Sequence, residues 1–283
     1  MRIRRPWALL LLGLPVAFLL AFFVAPFLTL VVASLADESG DWSMENYAHA
    51  LGDLYYWQVL LLTFRISLEV TVVALAVGYP LAYYMTNVLR SRLLRRLCYI
   101  VVVTPLFTSN VVRSFGWMVL LARRGPINQT LLDLGIIDRP LQLMFTQTSI
   151  IIGLAYISAP FMVLTIASVL QNIPNALVEA ARDLGAGQVS TFLRITLPLS
   201  LPGVIAGSVM VFTLSVSAYV TPSIMSGGKT SVMSMLIFQQ YGAIFDVHFG
   251  AALAVVLLPS TLLLVGAYLL MVERGSRRMA AAA

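Results

Sequence analysis

The sequence predicts an all-α, polytopic membrane protein with six transmembrane helices. Of its 283 residues, 60% are hydrophobic and 11% are charged, and the mean hydropathy is +0.92. A soluble domain carries about 25% charged residues, so the apolar surface of this chain requires lipid as its solvent. The other two observations are six long apolar runs and an uneven distribution of arginine between alternate loops. We expect a single transmembrane domain over residues 1–283.

Six apolar runs are long enough to cross the membrane, since about 20 helical residues span the hydrocarbon layer. The first run follows a basic N-terminus, as in a secretory signal, but it is too long and has no small-residue cleavage site before Asp37. We therefore expect a retained helix there. Aromatic residues within 42–58 indicate a short interfacial helix. The predicted spans are residues 6–36, 61–86, 98–122, 147–170, 201–222 and 249–272.

The distribution of charge predicts the orientation of the spans. Twelve of the 18 lysine and arginine residues fall at the two termini and in the loops of the same side, whereas the opposite loops collect acids. Because cytoplasmic loops carry an excess of basic residues, we expect both termini in the cytoplasm. The twelve are Arg2, Arg4, Arg5, Arg90, Arg92, Arg95, Arg96, Arg182, Arg194, Arg274, Arg277 and Arg278. The acids are Asp37, Glu38, Asp41, Glu45, Asp53, Asp133, Asp138 and Asp246.

The longest predicted cytoplasmic loop, residues 171–200, begins with the pattern of a short helix. Pro174 suits the first turn, and apolar side chains recur at i, i+3, i+4 and i+7 to form one face of mostly small residues. Gly185 is the expected end of this helix. The face is formed by Leu177, Ala180, Ala181 and Leu184.

A second short helix is predicted after the turn. It begins at Gly187 or Ser190 and runs through Ile195, and Pro198 is expected to end it before the fifth span. The loop is therefore expected to be a helix–turn–helix at the inner membrane face. The pattern by itself fits either a surface that a partner's backbone approaches closely or an ordinary linker.

The identity and spacing of several residues in this loop resemble the EAA loop of binding-protein-dependent ABC importer permeases. The matching residues are Glu179-Ala180-Ala181, Gly185 and Ile195-Thr196-Leu197-Pro198. The resemblance implies the type I importer permease fold, in which this loop forms the coupling helices that dock on a cytoplasmic ATPase. The coupling residues it implies are Glu179, Ala180, Ala181, Asp183, Gly185, Ile195, Leu197 and Pro198.

Further motifs resemble the spermidine/putrescine, PotB-like branch of these permeases. They are Gly78-Tyr79-Pro80, Val112-Arg113-Ser114-Phe115-Gly116-Trp117, Gly125-Pro126-Ile127-Asn128, Tyr219-Val220-Thr221-Pro222 and Gly227-Gly228-Lys229. The resemblance implies a polyamine substrate, or a related amino compound such as an opine or an amino acid. It also implies a bacterial inner-membrane location and three kinds of partner: a second homologous permease, two copies of an ATPase that binds ATP and Mg, and an extracytoplasmic substrate-binding protein.

Three charged residues lie within the predicted spans, where each costs about 2.5–3.5 kcal/mol on insertion scales. They are Arg65 and Glu69 in the second span and Arg113 in the third. Glu69 and Arg113 are expected at similar depth, which predicts an ion pair between the two helices. Such a pair either stabilises the packing of the two helices or contacts the substrate.

Two polar faces are candidates for the translocation path. One follows the third span at Asn110, Arg113, Ser114 and Trp117, and the other follows the fifth span at Ser208, Ser215 and Tyr219. Polar groups avoid lipid, so such faces line a path or form hydrogen bonds between helices. The path candidates are Glu69, Asn110, Arg113, Trp117, Ser215 and Tyr219.

Several other functions have little support in the sequence. The chain has one cysteine and none of the metal-protease or hydrolase motifs, so we expect no enzyme activity and no cofactor of its own. Gly228-Lys229-Thr230 lacks the earlier glycine of a phosphate-binding loop, because position 223 is serine. ATP hydrolysis is therefore assigned to a partner. The rival function, an ion-coupled secondary carrier, is disfavoured because Glu69 is the only acid within a span and no second half is visible.

Overall fold

The computed structural model describes residues 5–37 and 39–281. Arg2, Arg4 and Glu38, which entered the charge argument, lie outside the described residues. Within the described residues the chain is helical, with one isolated β-bridge between Ala36 and Trp42. The α-helices are α1 (Arg5–Leu19), α2 (Ala25–Ser34), α3 (Glu45–Gly52), α4 (Leu54–Tyr83), α5 (Arg92–Val103), α6 (Asn110–Leu121), α7 (Pro126–Asp133), α8 (Gln147–Leu170), α9 (Asn175–Asp183), α10 (Gln188–Thr191), α11 (Leu197–Ser217), α12 (Val220–Met225), α13 (Met233–Gln239) and α14 (Val247–Ala281).

Five of the helical runs are long and apolar enough to cross a membrane, and a bent pair makes a sixth if it counts as one span. Several runs continue through π-helical turns, which join α1 to α2, extend α4 to Val88 and join α10 to α11. The all-α, polytopic fold class is confirmed. The five runs are Leu12–Ser34, Leu54–Val88, Gln147–Leu170, Gln188–Ser217 and Val247–Arg274.

The third span is not the single continuous helix predicted over residues 98–122. Helix α5 is followed by a 3₁₀ turn at Thr104–Phe107 and two extended residues, and the chain bends by 104° before the next helix continues. Pro105 removes a backbone donor from the ladder, and the Ser109 side chain accepts the N–H of Val111 at 3.2 Å to cap the new helix α6. The prediction failed because the segments on both sides of the break are apolar, and hydropathy alone does not reveal a bend between two apolar segments.

The fifth span begins earlier than predicted because Pro198 does not end the second loop helix. A π-helical turn at Phe192–Thr196 joins α10 to α11, and the N–H of Leu197 bonds to the carbonyl of Phe192. In an ordinary α-helix the ring of Pro198 would collide with the carbonyl four residues earlier. The wider turn removes this conflict, so one helix runs from Gln188 to Ser217.

The fifth span also ends earlier than predicted, and Pro222 belongs to a separate helix. Ala218 is extended (φ −69°, ψ 123°), and α12 begins at Val220. A continuous helix would place the ring of Pro222 against the carbonyl of Ala218. In the structure this carbonyl instead accepts the hydroxyl of Ser234 at 2.6 Å, and Pro222 lies in the first turn of α12, where its missing N–H is not needed.

The described residues group into two compact units. The first contains the chain up to Gln58 together with Leu236–Ser260, and the second contains Val59–Met235 and the chain from Thr261. In the first unit, Ser34 and Tyr47 share a hydrogen bond of 2.7 Å, and His49 stacks on Phe249 with ring centroids 4.8 Å apart. The single domain predicted over residues 1–283 stays a prediction.

Helices α4, α8 and α11 form the core of the second unit around Met162. This side chain is fully buried, and a Cβ added at Gly78 of α4 or at Gly207 of α11 would lie 2.9 or 2.7 Å from its atoms. Gly203 makes the same kind of contact one turn along α11, where an added Cβ would lie 3.0 Å from Val169 Cγ2 and 3.2 Å from the Cα of Ile166. Small residues thus allow close helix contact, as is common in membranes.

We predict that Gly203→Ala destabilises the second unit. Because Val169 is β-branched and the contact with Ile166 is to its backbone, the neighbours cannot move aside easily, and overpacking of this kind costs about 1–3 kcal/mol. Gly266→Ala is the matched control, since no atom lies within 4 Å of its added Cβ. Thermal unfolding of the purified protein in detergent measures both. A Gly203→Ala protein as stable as the control would contradict this account of the α8–α11 contact.

Candidate coupling loop and translocation path

The first loop helix, α9, ends at the turn of Gly185 as the sequence predicted, but Pro174 lies just outside its first turn. Pro174 is its N-cap in an extended conformation, so the helix begins one residue later than the proline. At the other end, the N–H of Gly185 bonds to Arg182 O and the N–H of Ala186 bonds to Ala181 O, each at 2.9 Å. This pair of bonds is the Schellman motif, which requires a left-handed residue at the turn. Gly185 supplies it with φ +80°.

The apolar face of α9 is exposed. The helix contains no buried residue, Leu177 is 44% exposed, and Leu184, directly after the helix, is 90% exposed. Ala180 is exposed and Ala181 is partly buried, so small side chains lie between the two leucines. The acidic residues Glu179 and Asp183 are also exposed. The loop therefore presents a narrow apolar stripe with charged groups beside it.

The second half of the loop is attached to α4 through aromatic contacts that sequence reasoning missed. The ring of Phe192 packs edge-on against Tyr79 and Tyr83, with centroids 5.9 and 5.2 Å apart. The hydroxyl groups of Tyr79 and Ser200 lie 2.9 Å apart and share a hydrogen bond. The tyrosine of the Gly78-Tyr79-Pro80 motif was the available signal, but its partner cannot be read from the sequence.

The remaining predicted coupling residues lie in or next to the π-helical turn that carries Phe192. Ile195 and Leu197 are partly buried, whereas Pro198 is exposed. All three therefore lie on the helix that continues directly into the fifth span.

The path candidates on α6 form one polar and aromatic cluster with a residue of α8. Arg113 donates a hydrogen bond from Nη2 to Oδ1 of Asn110. The rings of Trp117 and Tyr156 meet edge-on with centroids 5.5 Å apart. Among the described residues, the Nε and Nη1 atoms of Arg113 are buried and have no acceptor. Tyr156 was not predicted, because it lies on a largely apolar helix.

Glu69 pairs with Arg65 and not with Arg113. Arg65 Nε lies 2.8 Å from Glu69 Oε1, one helical turn away. The predicted bridge from Glu69 to Arg113 is absent. Neighbours at i and i+4 on one helix meet without any tertiary arrangement, whereas the break in the third span directs Arg113 toward α8.

The polar face of the fifth span is mostly engaged in hydrogen bonds. Ser215 is buried and donates to the carbonyl of Val211 at 2.8 Å. On α6, Ser114 is buried and donates to Thr221 Oγ1 at 3.0 Å, which is a contact between helices. Tyr219 is partly buried at the N-cap of α12. Ser215 and Tyr219 therefore flank the break at the end of the fifth span.

The glycine-rich segment after α12 forms a turn. Gly227 and Gly228 have φ values of +57° and +75°, and Lys229 is exposed. Within the described ranges, no group of three His, Cys, Asp or Glu side chains is placed to hold a metal ion.

Comparison with known proteins identifies the family. Residues 74–277 match the family described as "Binding-protein-dependent transport system inner membrane component". The spermidine/putrescine transport system permease protein PotB of Escherichia coli K12 is 36% identical over 235 residues, which cover 83% of each chain. The PotB protein of Haemophilus influenzae is 31% identical over 258 residues, or 89% of each chain.

Solved structures agree on the fold. A bacterial alginate ABC transporter, crystallised with its pentasaccharide-bound periplasmic protein, contains a chain that superposes with a TM-score of 0.72 at 19% identity. The match covers 97% of this chain and 96% of the other. A chain of a methionine ABC transporter in an inward-facing conformation superposes with a TM-score of 0.52 at 17% identity, over 80% of this chain and 94% of the other.

These matches cover most of the chain and agree with the exposed coupling-type loop and the apolar spans. The ATPase of such a system is a separate partner, and the membrane subunit is not catalytic. The chain belongs to the family of inner-membrane components of binding-protein-dependent transport systems and is a permease subunit of an ABC importer.

Proposed function

We propose that this permease imports polyamines, with spermidine or putrescine as the substrate. The observation that carries the proposal is the 36% identity to a spermidine/putrescine permease over 83% of both chains. Glu69 is an acid in the interior of a span, and Trp117 and Tyr156 offer aromatic faces in the cluster between α6 and α8. A carboxylate and aromatic rings are the groups that attract ammonium ions.

The path binds its substrate weakly, and selection takes place mainly outside this chain. A multivalent cation bound tightly within the membrane would require several carboxylates, and Glu69 is the one that lies away from the ends of the described spans. We therefore assign recognition to an extracytoplasmic substrate-binding protein. Weak binding in the path favours release, because a substrate held strongly at one site cannot leave it quickly.

The exposed stripe of α9 docks on a cytoplasmic ATPase that binds ATP and Mg. The support is the 90% exposure of Leu184 and the Schellman turn at Gly185, which together present an apolar stripe that no other described part of this chain covers. The complete importer contains a second, homologous permease and two copies of the ATPase. Both termini lie on the ATPase side, since that side carries the arginine-rich loops.

Closure of the ATPase pair moves the loop, and the fifth span moves with it. The support is the continuous helix from Gln188 to Ser217 and the contacts of Phe192 with Tyr79 and Tyr83. Nucleotide binding thus favours one of two arrangements of the helix bundle, through its different affinity for the two states. Glu69, Asn110, Arg113, Trp117, Ser215 and Tyr219 are the proposed path residues.

The substrate class is tested by uptake into proteoliposomes that contain the complete importer and its binding protein. We expect ATP-dependent uptake of labelled putrescine or spermidine, which an excess of unlabelled polyamine suppresses and an excess of an opine or a neutral amino acid does not. ATP hydrolysis that is stimulated by a binding protein loaded with a different solute, without polyamine uptake, would contradict the substrate assignment. It would leave the permease role intact.

The docking role of the loop is tested by Gly185→Asp. Aspartate at φ +80° is strained, at a cost of about 1–3 kcal/mol, and it adds a charge beside the apolar stripe. We expect stimulated ATP hydrolysis and uptake to fall by roughly tenfold or more, since ~1.4 kcal/mol corresponds to tenfold, while membrane insertion continues.

Gly187→Asp is the matched control for this variant. Gly187 lies two residues away at the N-cap of α10 with φ −68°, a position that aspartate favours, and no atom lies within 4 Å of an added Cβ. We expect the control to retain stimulated hydrolysis. Equal loss in both variants, or normal coupling in Gly185→Asp, would count against docking through this turn.

A further inference from the structure

The ion pair of α4 lies in the middle of a membrane-spanning helix and on its exposed side. Glu69 is 15 residues from the start of the 35-residue run Leu54–Val88, or about 22 Å at 1.5 Å per residue. The side chains of Arg65 and Glu69 are 70% and 38% exposed. The opposite side of α4 contains the buried residues Ile66, Val70 and Ala74. The pair therefore points away from the protein core at a depth where hydrocarbon is the default surrounding.

Contact with hydrocarbon at this position is unfavourable. A charged side chain at the centre of a span is costly, and intramembrane charges in proteins face water-filled cavities or partners. In water the same i, i+4 pair contributes little to stability. Turned toward an aqueous path, the pair is thus easily opened.

The geometry of the pair is that of a single contact. Arg65 Nε approaches Glu69 Oε1 at 2.8 Å, and the two-pronged arrangement that makes arginine–carboxylate pairs strong is absent. The second carboxylate oxygen of Glu69 is available to accept a hydrogen bond from another donor. An ammonium group has the required charge and three donors in a compact group.

A groove next to Arg65 offers its side chain a second position. The groove has a volume of about 400 Å³ and lies between α4, α11 and α14. Its lining includes Arg65 itself and three aromatic rings, of which Phe64 and Phe212 stack with centroids 6.3 Å apart and Tyr268 belongs to α14. The methylene stem of an arginine packs on such apolar surface, and its guanidinium is attracted to aromatic faces.

We propose that the guanidinium of Arg65 pairs with the carboxylate of Glu69 when no substrate is bound, and that an ammonium group of the substrate displaces this guanidinium during transport. The displaced guanidinium moves into the aromatic groove, and it returns to Glu69 when the substrate leaves. The exchange keeps the carboxylate paired at every stage and keeps binding of the cation weak. This inference rests on the proposed polyamine function and adds a positioning role for Arg65, which acts on the substrate through Glu69.

The test measures binding of labelled putrescine to the purified permease–ATPase assembly without the binding protein, by equilibrium dialysis. We expect Arg65→Gln to bind putrescine at least about tenfold more tightly than the unchanged assembly, because the competing cation is gone. Glu69→Gln is expected to lose this binding. Arg65→Lys keeps a cation at the position and is the control that retains weak binding.

Opposite effects of the two glutamine variants separate exchange from a structural ion pair. A structural pair predicts that both variants lower the yield of assembly and leave putrescine binding unchanged, and this result would overturn the proposal. So would the absence of putrescine binding by Arg65→Gln at millimolar concentration. An importer that takes up no polyamine contradicts the proposed function, whereas polyamine uptake with unchanged binding in Arg65→Gln contradicts this inference alone.

A labelling experiment keeps the proposal testable if Arg65→Gln does not assemble. The single native cysteine is removed by Cys98→Ala, and Leu68→Cys then introduces a thiol beside the pair in a groove-lining position that is 58% exposed. We expect a cationic, water-soluble thiol reagent to modify it in the assembled importer, and putrescine to slow the reaction. Leu263→Cys, at an apolar position that is 74% exposed on α14, is the control expected to stay unmodified. Modification of the control alone would show that the α4 face contacts lipid.

Discussion

The structure depends on one constraint, which is that backbone and side-chain polar groups within hydrocarbon find partners inside the protein. The buried hydroxyls of α4 illustrate it, since Thr63, Ser67 and Thr71 each donate to the carbonyl one turn earlier at 2.7–2.8 Å. Thr63 also accepts the backbone N–H of Met233 at 2.9 Å. The N-terminus of α13 is thereby attached to α4. Thr63 satisfies one of the N–H groups that the first turn of a helix leaves without a partner.

The same constraint explains where the prolines act. Pro105 coincides with the bend of the third span and Pro222 with the break after the fifth. Pro198 is instead accommodated by a π-helical turn, so that the second half of the loop and the fifth span form one continuous helix. Breaks therefore lie where α6 and α12 approach each other through Ser114 and Thr221. Continuity lies where the second half of the loop joins the fifth span.

Charged side chains within the spans also need polar partners. The candidate functional residues are those whose polar groups this chain alone does not fully satisfy. The guanidinium of Arg113 has only Asn110 as a partner among the described residues, and the pair of Arg65 and Glu69 faces outward from the core. The exposed stripe of α9 is the corresponding apolar case, since Leu184 lacks cover. These three features fit the proposed role of this chain as one half of a pore in a larger assembly.

Much of the fold could be predicted from the sequence, because hydropathy and caps act locally. The fourth span has the predicted bounds, 147–170, and α9 ends at Gly185 as its pattern indicates. The interior of the third span could not be predicted, since apolar residues lie on both sides of the bend. The partner of Glu69 was also missed, because an ion pair between helices depends on the rotation of both helices. The contact of Phe192 with Tyr79 joins residues that are far apart in the sequence and leaves no local signal.

The central claim is that the α9 stripe is the surface through which this permease contacts its ATPase. A photo-crosslinking residue in place of Leu184 in the assembled importer tests it most directly, with Lys229, which is exposed in the glycine-rich turn, as the reference position. The account predicts that position 184 crosslinks to the ATPase and that position 229 does not. Crosslinking of position 184 to lipid or to the substrate-binding protein, with the ATPase captured only from position 229, would contradict it.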